Sequence, residues 1–143
     1  MTSPLRPIEE LDKASRKLVA LAMKARKRAY APYSNFLVGA VIVDNKGRVH
    51  SGCNVENAAL VNTLHAEIVA LGKMVSRRGG SVRLVVVVTS ADEPVMPCGC
   101  CLQTLVEFGK KAIVVGVNKK GTAFRTSTIA DLLPSAFSGA WLK

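Results

Sequence analysis

Apolar residues recur at helical spacing in the first part of the chain and give way to uninterrupted apolar runs further on. The first pattern predicts a helix over residues 8–30, which Pro32 ends because the residue before a proline avoids helical angles. The run FLVGAVIV, the turn DNKG and the return run RVHSGCNV predict a β-hairpin. We therefore expect one helix followed by two paired strands.

Helices and strands continue to alternate towards the C-terminus. A second helix is predicted to begin at Asn62 or Thr63 and to end at about Arg78. The runs RLVVVVTS and AIVVGV predict buried strands, and a third helix is expected to begin near Cys98 between them. A fifth strand over residues 122–126 and a short last helix complete the order, which indicates one sheet with helices on its faces.

Composition narrows the class of protein. The chain has 143 residues and is 49% hydrophobic, which fits one domain spanning residues 1–143. No apolar run approaches the length that crosses a bilayer. The N-terminus has no secretory pattern, and Glu9, Glu10 and Asp12 argue against a mitochondrial transit peptide. We expect a cytoplasmic protein with reduced cysteines and no membrane partner.

Positive charge raises the question of a nucleic-acid substrate. The net charge is +10, and the pI is about 9.9. However, the densest basic run, KARKR at residues 24–28, is typical of a solvated helix face. Aromatic residues make up only 5% of the chain and do not alternate with basic ones, as single-strand binding would require. We therefore do not expect nucleic acid to be the substrate.

Two short motifs carry candidate chemistry. In TLHAEIVALG, His65 and Glu67 stand at the start of an apolar helical run, and in VMPCGCCLQTL, Cys98 and Cys101 follow a proline at another helix start. Crowded cysteines suit a metal or catalysis better than disulfides. One histidine and two cysteines match a catalytic Zn²⁺ site, which keeps its fourth position for water. Glu67 would then exchange protons with that water.

Other interpretations stay open on the residues alone. The histidine could be a satisfied core residue, and the two cysteines could be core packing or a redox pair. A structural zinc would need a fourth ligand, for which Cys100 is the candidate, although three ligands from one tight turn would be crowded. His50 and Cys53 lie on a predicted strand, and we interpret both as structural.

Several motifs together resemble a known family. HAE followed by PCxxC is the signature of zinc-dependent nucleobase deaminases. The segments YSNFLVGA, GCNVENA and LLPSAF are similar to those of the free-nucleoside cytidine deaminases, in the same order from about Tyr33 to Phe137. The resemblance implies a three-layer α/β/α sandwich around a mixed five-stranded sheet. It also implies a homotetramer with shared active sites, acting in pyrimidine salvage.

The resemblance also implies a role for each matched residue. His65, Cys98 and Cys101 would hold Zn²⁺, and Glu67 would be the catalytic proton carrier. Asn54 and Glu56 would bind the ribose hydroxyl, Phe36 would pack on the nucleoside, and Phe137 would reach the pyrimidine from a neighbouring subunit. The backbone of Ala66 and Cys98 would read the base edge. The substrate-binding residues would thus be Phe36, Asn54, Glu56, Ala66 and Phe137.

The implied reaction is hydrolytic deamination of cytidine and deoxycytidine to uridine and deoxyuridine, with release of ammonia. The chain departs from the family at Leu60, where tyrosine is frequent, and at Cys100, where alanine is common. Because Leu60 is smaller than tyrosine, the substrate could instead be a different aminopyrimidine nucleoside, such as an antibiotic or a modified cytidine. A nucleic-acid cytidine deaminase is the remaining alternative.

Overall fold

The structure is a computed structural model that describes residues 2–142. Its strands are β1 Arg6–Pro7, β2 Val38–Asp44, β3 Val49–Cys53, β4 Val82–Thr89, β5 Ile113–Val117 and β6 Ala123–Thr128. In this part of the chain they form a six-stranded sheet in the order β1-β6-β5-β4-β2-β3. β4 and β5 are parallel, and the other neighbouring pairs are antiparallel. The mixed sheet is as predicted, but the count of five strands was wrong because β1 has only two residues and no readable pattern.

The helices are α1 Lys13–Arg26, α2 Ala66–Ser76, α3 Gly99–Gly109 and α4 Ile129–Leu132. α1 is shorter than predicted. Asp12 caps it by accepting a 2.8 Å hydrogen bond from the backbone N–H of Ser15, and Ile8–Glu10 forms a separate 3-10 turn. α2 begins after His65, not at Asn62 or Thr63, because Leu60–Asn62 forms its own 3-10 turn.

The helices cover both faces of the sheet, which confirms the predicted α/β/α arrangement. α1 packs on one face through Val19 and Ala22, and α2, α3 and α4 pack on the other around Ala70, Leu105 and Ile129. β4 contributes alternate valines to both cores, as expected for a strand buried on both faces. No helix within residues 2–142 is long and apolar enough to cross a membrane.

The sheet register brings several element ends to one edge of the molecule. Val38 at the start of β2 pairs with Thr89 at the end of β4. α2 and α3 both begin at this edge. The residues that precede them, His65 and Cys98, line the same cleft as Val38 and Thr89. Chemistry carried on helix starts and strand ends is thereby concentrated in one place.

Candidate active site

His65 and Cys98 occupy equivalent positions at the starts of two helices. Each is the N-cap residue, His65 of α2 and Cys98 of α3, and each has extended backbone angles. Neither side chain caps its own helix by a hydrogen bond. Both side chains therefore remain available to a shared ligand, in a region where the unpaired N–H groups of two helices favour negative charge.

The two helix starts bring three metal-ligating atoms together. The Nδ1 atom of His65 lies 3.4 Å from Sγ of Cys98 and 3.3 Å from Sγ of Cys101. All three ligand atoms lie within 4.8 Å of one another. A tetrahedral zinc with usual Zn–N and Zn–S bonds would separate nitrogen from sulfur by about 3.6 Å. The observed spacing therefore fits a zinc ion without rearrangement of the chain.

The chemistry of the donors also calls for a cation. Burial, the Glu67 carboxylate and Cys98 all raise the pKa of the Cys101 thiol. The helix dipole alone is therefore not enough to keep this thiolate, and a divalent ion at the cluster would supply the missing positive charge. Cys100 is exposed and does not belong to the cluster of ligand atoms, so the structure does not support it as a fourth ligand.

Glu67 lies beside the cluster, in the first turn of α2. Its side chain is buried, with 5% of the residue exposed, yet it lines the same cleft as His65 and Cys98. Burial raises the pKa of this carboxyl group, and its own backbone N–H and His65 offset the shift only in part. A carboxyl group whose pKa is moved towards neutrality is suited to accept and return protons.

The cluster forms one wall of a cleft of about 300 Å³. Asn54 lies on another wall, where its side chain joins two backbone groups of the loop before β2. It accepts a 2.8 Å hydrogen bond from the N–H of Val38 and donates one of 2.8 Å to the carbonyl of Phe36. A side-chain amide has two donor hydrogens and two acceptor lone pairs, so one of each remains for a ligand.

Glu56 is held by a turn that precedes β2. Its carboxylate accepts hydrogen bonds from the Ser34 hydroxyl, from the N–H of Tyr33 at 2.9 Å and from the N–H of Ser34 at 3.3 Å. These bonds, that of the Ser34 hydroxyl first, lower the pKa of Glu56 despite its burial. The carboxylate is thus fixed and ionised, with acceptor capacity left to bind a hydroxyl group.

The turn has a specific backbone shape. Asn35 has a φ of 57°, in the left-handed region that asparagine tolerates better than most residues. The N–H of Phe36 donates a 3.0 Å hydrogen bond to the Ser34 hydroxyl. Ser34 therefore orders the turn and orients Glu56 at once. It stands in the YSNFLVGA segment, but the sequence alone did not indicate a role for it.

The remaining predicted residues divide into two groups. Phe36 and Ala66 line the cleft together with the metal cluster, Asn54 and Glu56. Phe137 does not line it, although its carbonyl accepts a 2.9 Å hydrogen bond from the side chain of Gln103. Its side chain is exposed, so within one chain it covers no part of the cleft. Cleft residues that the sequence did not single out are Ser34, Val38, Thr63, Val87, Thr89, Val95 and Met96.

Comparisons with known proteins agree with this geometry. A family model described as the cytidine and deoxycytidylate deaminase zinc-binding region matches residues 12–117. The cytidine deaminase of Sporosarcina psychrophila is 41% identical over 122 residues, which cover 85% of this chain and 90% of that protein. The crystal structure of cytidine deaminase from Burkholderia pseudomallei superposes with a TM-score of 0.80 at 39% identity, covering 89% of this chain and 100% of the other. The cytidine deaminase structure from Mycobacterium tuberculosis gives a TM-score of 0.76 at 35% identity, covering 89% and 99%.

Proposed function

The chain belongs to the cytidine and deoxycytidylate deaminase family, and we propose that it hydrolyses cytidine and deoxycytidine to uridine and deoxyuridine with release of ammonia. One observation carries this proposal. The cluster of His65, Cys98 and Cys101 lies beside a buried carboxyl group, Glu67, in a cleft that also contains polar groups suited to a sugar. A metal, a proton carrier and a sugar site in one cleft are what hydrolysis of a nucleoside amine requires.

Zinc is the cofactor of this family, and the donor set of this chain suits it. A bound zinc ion lowers the pKa of a coordinated water to about 7. His65, Cys98 and Cys101 would hold the ion, and one neutral imidazole with two thiolates cancels its double positive charge. Such a neutral site needs no additional cation. The residues that follow Glu67 and Cys101, Ile68 and Leu102, are accordingly apolar.

Glu67 would carry the protons of the reaction. It accepts a proton from the attacking water and delivers it to N3 of the pyrimidine while the water oxygen bonds to C4. The remaining proton of that oxygen then passes through Glu67 to the amine, which leaves as ammonia. Burial raises the pKa of this carboxyl group, which makes its carboxylate form a stronger base towards the proton of water.

Backbone and side chain would divide the recognition of the substrate. The N–H of Ala66 is the first of α2 and has no partner within its helix, so it is free to meet an acceptor on the base. The carbonyl of Cys98 accepts one hydrogen bond from Leu102 and keeps a second lone pair for the amine. Asn54 and Glu56 would bind the ribose hydroxyl through the donor and acceptor positions that their hydrogen bonds to the loop before β2 leave unused.

The test combines metal analysis with product analysis. The purified protein should contain zinc and release ammonia from cytidine and from deoxycytidine. A panel of other aminopyrimidine nucleosides, motivated by Leu60, serves as the comparison. Zinc-loaded protein that is inactive on both substrates but active on another member of the panel would replace the assignment. Activity confined to RNA or DNA, with a steep dependence on salt, would also overturn it.

We further infer that the active protein is a cytoplasmic homotetramer in which Phe137 closes a neighbour's cleft. Support comes from apolar side chains that the chain leaves exposed, since Leu60 is 64%, Val61 92% and Leu64 52% accessible, just before His65 in the chain. Phe137 is itself 55% exposed. A second subunit would bury these groups and keep water from the pyrimidine.

Subunit mixing tests the shared cleft directly. Glu67→Gln chains and Phe137→Ala chains should each be impaired, and mixed oligomers should regain activity in sites that combine an intact Glu67 with an intact Phe137. The control is the same pair of chains kept in separate tubes. A fully active monomer by light scattering, or no recovery in oligomers shown to be mixed, would contradict a shared site.

A further inference from the structure

The end of the sheet remote from the cleft carries a group of positive charges, which we call the basic end. Its residues belong to four neighbouring parts of the fold. They follow β2, lie directly after α2, begin β4, and lie between α3 and β5. They are Lys46, Arg77, Arg78, Arg83, Lys110 and Lys111.

Contacts among these segments show that the basic end is continuous. Asn45, Ser81, Arg83, Lys110 and Lys111 line one shallow cleft of about 390 Å³. The backbone N–H of Asn45 donates a 2.9 Å hydrogen bond to the carbonyl of Ser81. The β2–β3 turn, the start of β4 and the end of α3 therefore present their cations on one surface.

A second set of contacts adds the end of α2 to the same surface. The Arg48 guanidinium donates hydrogen bonds of 3.2 Å to the carbonyl of Arg77 and 2.8 Å to that of Arg78. Arg48 itself pairs with Asp44 at 3.0 Å. It therefore acts as a link and contributes no uncompensated charge.

Negative charge does not balance the basic end. Asp44 is the acidic residue nearest the β2–β3 turn, but it is fully buried and already bonded to Arg48 and His50. Within residues 2–142, none of the six cations of the basic end has a carboxylate within ion-pair distance. By contrast, Arg6 and Lys119 elsewhere in the chain are paired at 2.7 Å with Glu10 and Asp92. Glu107 on α3 and Asp131 on α4 are exposed carboxylates on adjoining elements, and the six cations leave an excess of positive charge at the basic end.

The spread of the charges decides the kind of ligand. The cations lie at the ends of β5, β4 and the β2–β3 hairpin, and three strand spacings measure about 14 Å. A single phosphate would need charges that converge on one point, whereas these suit a row of phosphates. The aromatic residue on these segments, Phe108, packs against the core and is not placed to stack on a base.

We propose that the basic end binds the phosphate backbone of double-stranded nucleic acid without reading its sequence. A duplex is favoured over a single strand because it offers one negative charge per about 1.7 Å of axis and needs no stacking. The surface faces away from the catalytic cleft, so the polymer is a ligand and not a substrate. The proposal does not depend on the proposed deaminase activity.

The experiment measures binding of a short labelled DNA duplex of mixed sequence by fluorescence anisotropy, as a function of salt. Neutralisation of three phosphates would give a slope of log K against log salt of about −3. The triple variant Arg83→Gln, Lys110→Gln, Lys111→Gln should raise the Kd at least about tenfold and flatten the slope by about one for each cation that no longer meets a phosphate.

A matched control removes the same amount of charge elsewhere. The control is the triple variant Lys24→Gln, Lys27→Gln, Lys120→Gln. These lysines lie near the end of the sheet that carries the catalytic cleft, where Arg26 of α1 donates hydrogen bonds to the carbonyls of Thr89 and Lys119. This control variant should keep nearly normal affinity, and both triple variants should keep wild-type release of ammonia from cytidine.

Several results would overturn the proposal. They are equal weakening in the two triple variants, strong preference for one duplex sequence, or no duplex binding at low salt. Vesicles containing phosphatidylserine form a further arm. Binding to these vesicles through Arg83, Lys110 and Lys111, without binding to the duplex, would assign the surface to a membrane instead.

Discussion

The close contact between β3 and α2 at Gly52 yields a sharp prediction. A Cβ atom built at Gly52 would lie 2.4 Å from the carbonyl oxygen of Ala66 and 2.6 Å from the backbone nitrogen of Ala70. Both atoms belong to the backbone of α2, so no side-chain rotation relieves the overlap. Gly52→Ala should therefore push the start of α2, and with it His65 and Glu67, away from the sheet.

The size of the displacement follows from the same distances. Ordinary contact of a Cβ begins at 3.4 Å, so the helix would have to move by about 1 Å from its present 2.4 Å approach. Misplacing catalytic groups by about 1 Å can cost 10²-fold in rate. Overpacking of this kind costs about 1–3 kcal/mol, which lowers the melting temperature of a domain of this size by roughly 3–10 °C.

The assay compares Gly52→Ala with Gly72→Ala, a substitution at a second glycine in the same region. An added Cβ at Gly72 meets no atom within 4 Å and lies on α2 itself. Gly72→Ala should keep full turnover and gain up to about 1 kcal/mol in stability from helix propensity. Zinc content, kcat for cytidine and melting temperature are measured for both. Wild-type zinc content and kcat in Gly52→Ala, or an equal loss in Gly72→Ala, would refute the reasoning.

Three further predictions concern other parts of the molecule. Glu67→Gln should retain zinc and the melting temperature but lower kcat by about 10²–10⁴-fold in the ammonia assay, because an amide cannot accept the proton of water. Ser34→Ala should raise KM for cytidine by about tenfold with little change in kcat, because Glu56 loses the hydroxyl that orients it. Asp44 is buried, which opposes its ionisation, but hydrogen bonds led by the backbone N–H of Arg48 hold its pKa at about 2, below the ordinary 3.8. Its contribution to stability is therefore present above pH 3.8 and is lost as pH falls towards 2, so melting temperatures should fall less steeply over that range in Asp44→Asn than in the wild type.

The hydrophobic pattern predicts much of the fold, but it does not distinguish a helix from a turn whose apolar residues also pack on the core. Ile8 and Leu11 continue the helical spacing of α1, yet they lie outside that helix. Both pack against the core on the α1 face, so they are apolar because of where they lie. Asp12 interrupts the pattern by capping, and only its contact with Ser15 reveals the true start.

The smallest strand illustrates another limit. β1 consists of Arg6 and Pro7, whose pairing with β6 depends on the neighbouring strand and not on any period of their own. The Arg6 guanidinium lies 5.1 Å from the centre of the Phe124 ring, a contact that adds cation–π attraction to the pairing. Two residues offer no periodicity, so contacts between distant parts of the chain decide this strand.

Residue types were sufficient to suggest the metal cluster, but they did not reveal that Ser34 holds Glu56 in the proposed sugar site. His65, Cys98 and Cys101 are of the residue types that zinc prefers as ligands, and their positions at helix starts follow from the pattern. Ser34 is a common surface residue, and its bond to Glu56 depends on the left-handed conformation of Asn35. A backbone conformation of that kind has no distinct signature in a single sequence.

α2, which follows the metal ligand His65, is connected to the segment that carries the proposed sugar-binding residues Asn54 and Glu56. β3 rests against α2 at Gly52 and runs directly into Asn54 and Glu56. Val55, between these two residues, exchanges hydrogen bonds of 2.8 and 2.9 Å with Leu64, which immediately precedes the first metal ligand. A shift of α2 is therefore transmitted to the segment that would bind ribose.

This connection gives the kinetic parameters a diagnostic pattern. Glu67→Gln removes a proton carrier without moving the backbone, so it should change kcat alone. Ser34→Ala loosens the carboxylate of Glu56, which we propose binds ribose, so it should change KM. Gly52→Ala displaces the helix and pulls on the sugar segment through the Val55–Leu64 bridge, so kcat and KM should worsen together. A Gly52→Ala protein with reduced kcat and unchanged KM would contradict this coupling. It would mean that the Val55–Leu64 contact does not transmit the shift of α2, and that the two halves of the cleft are positioned independently.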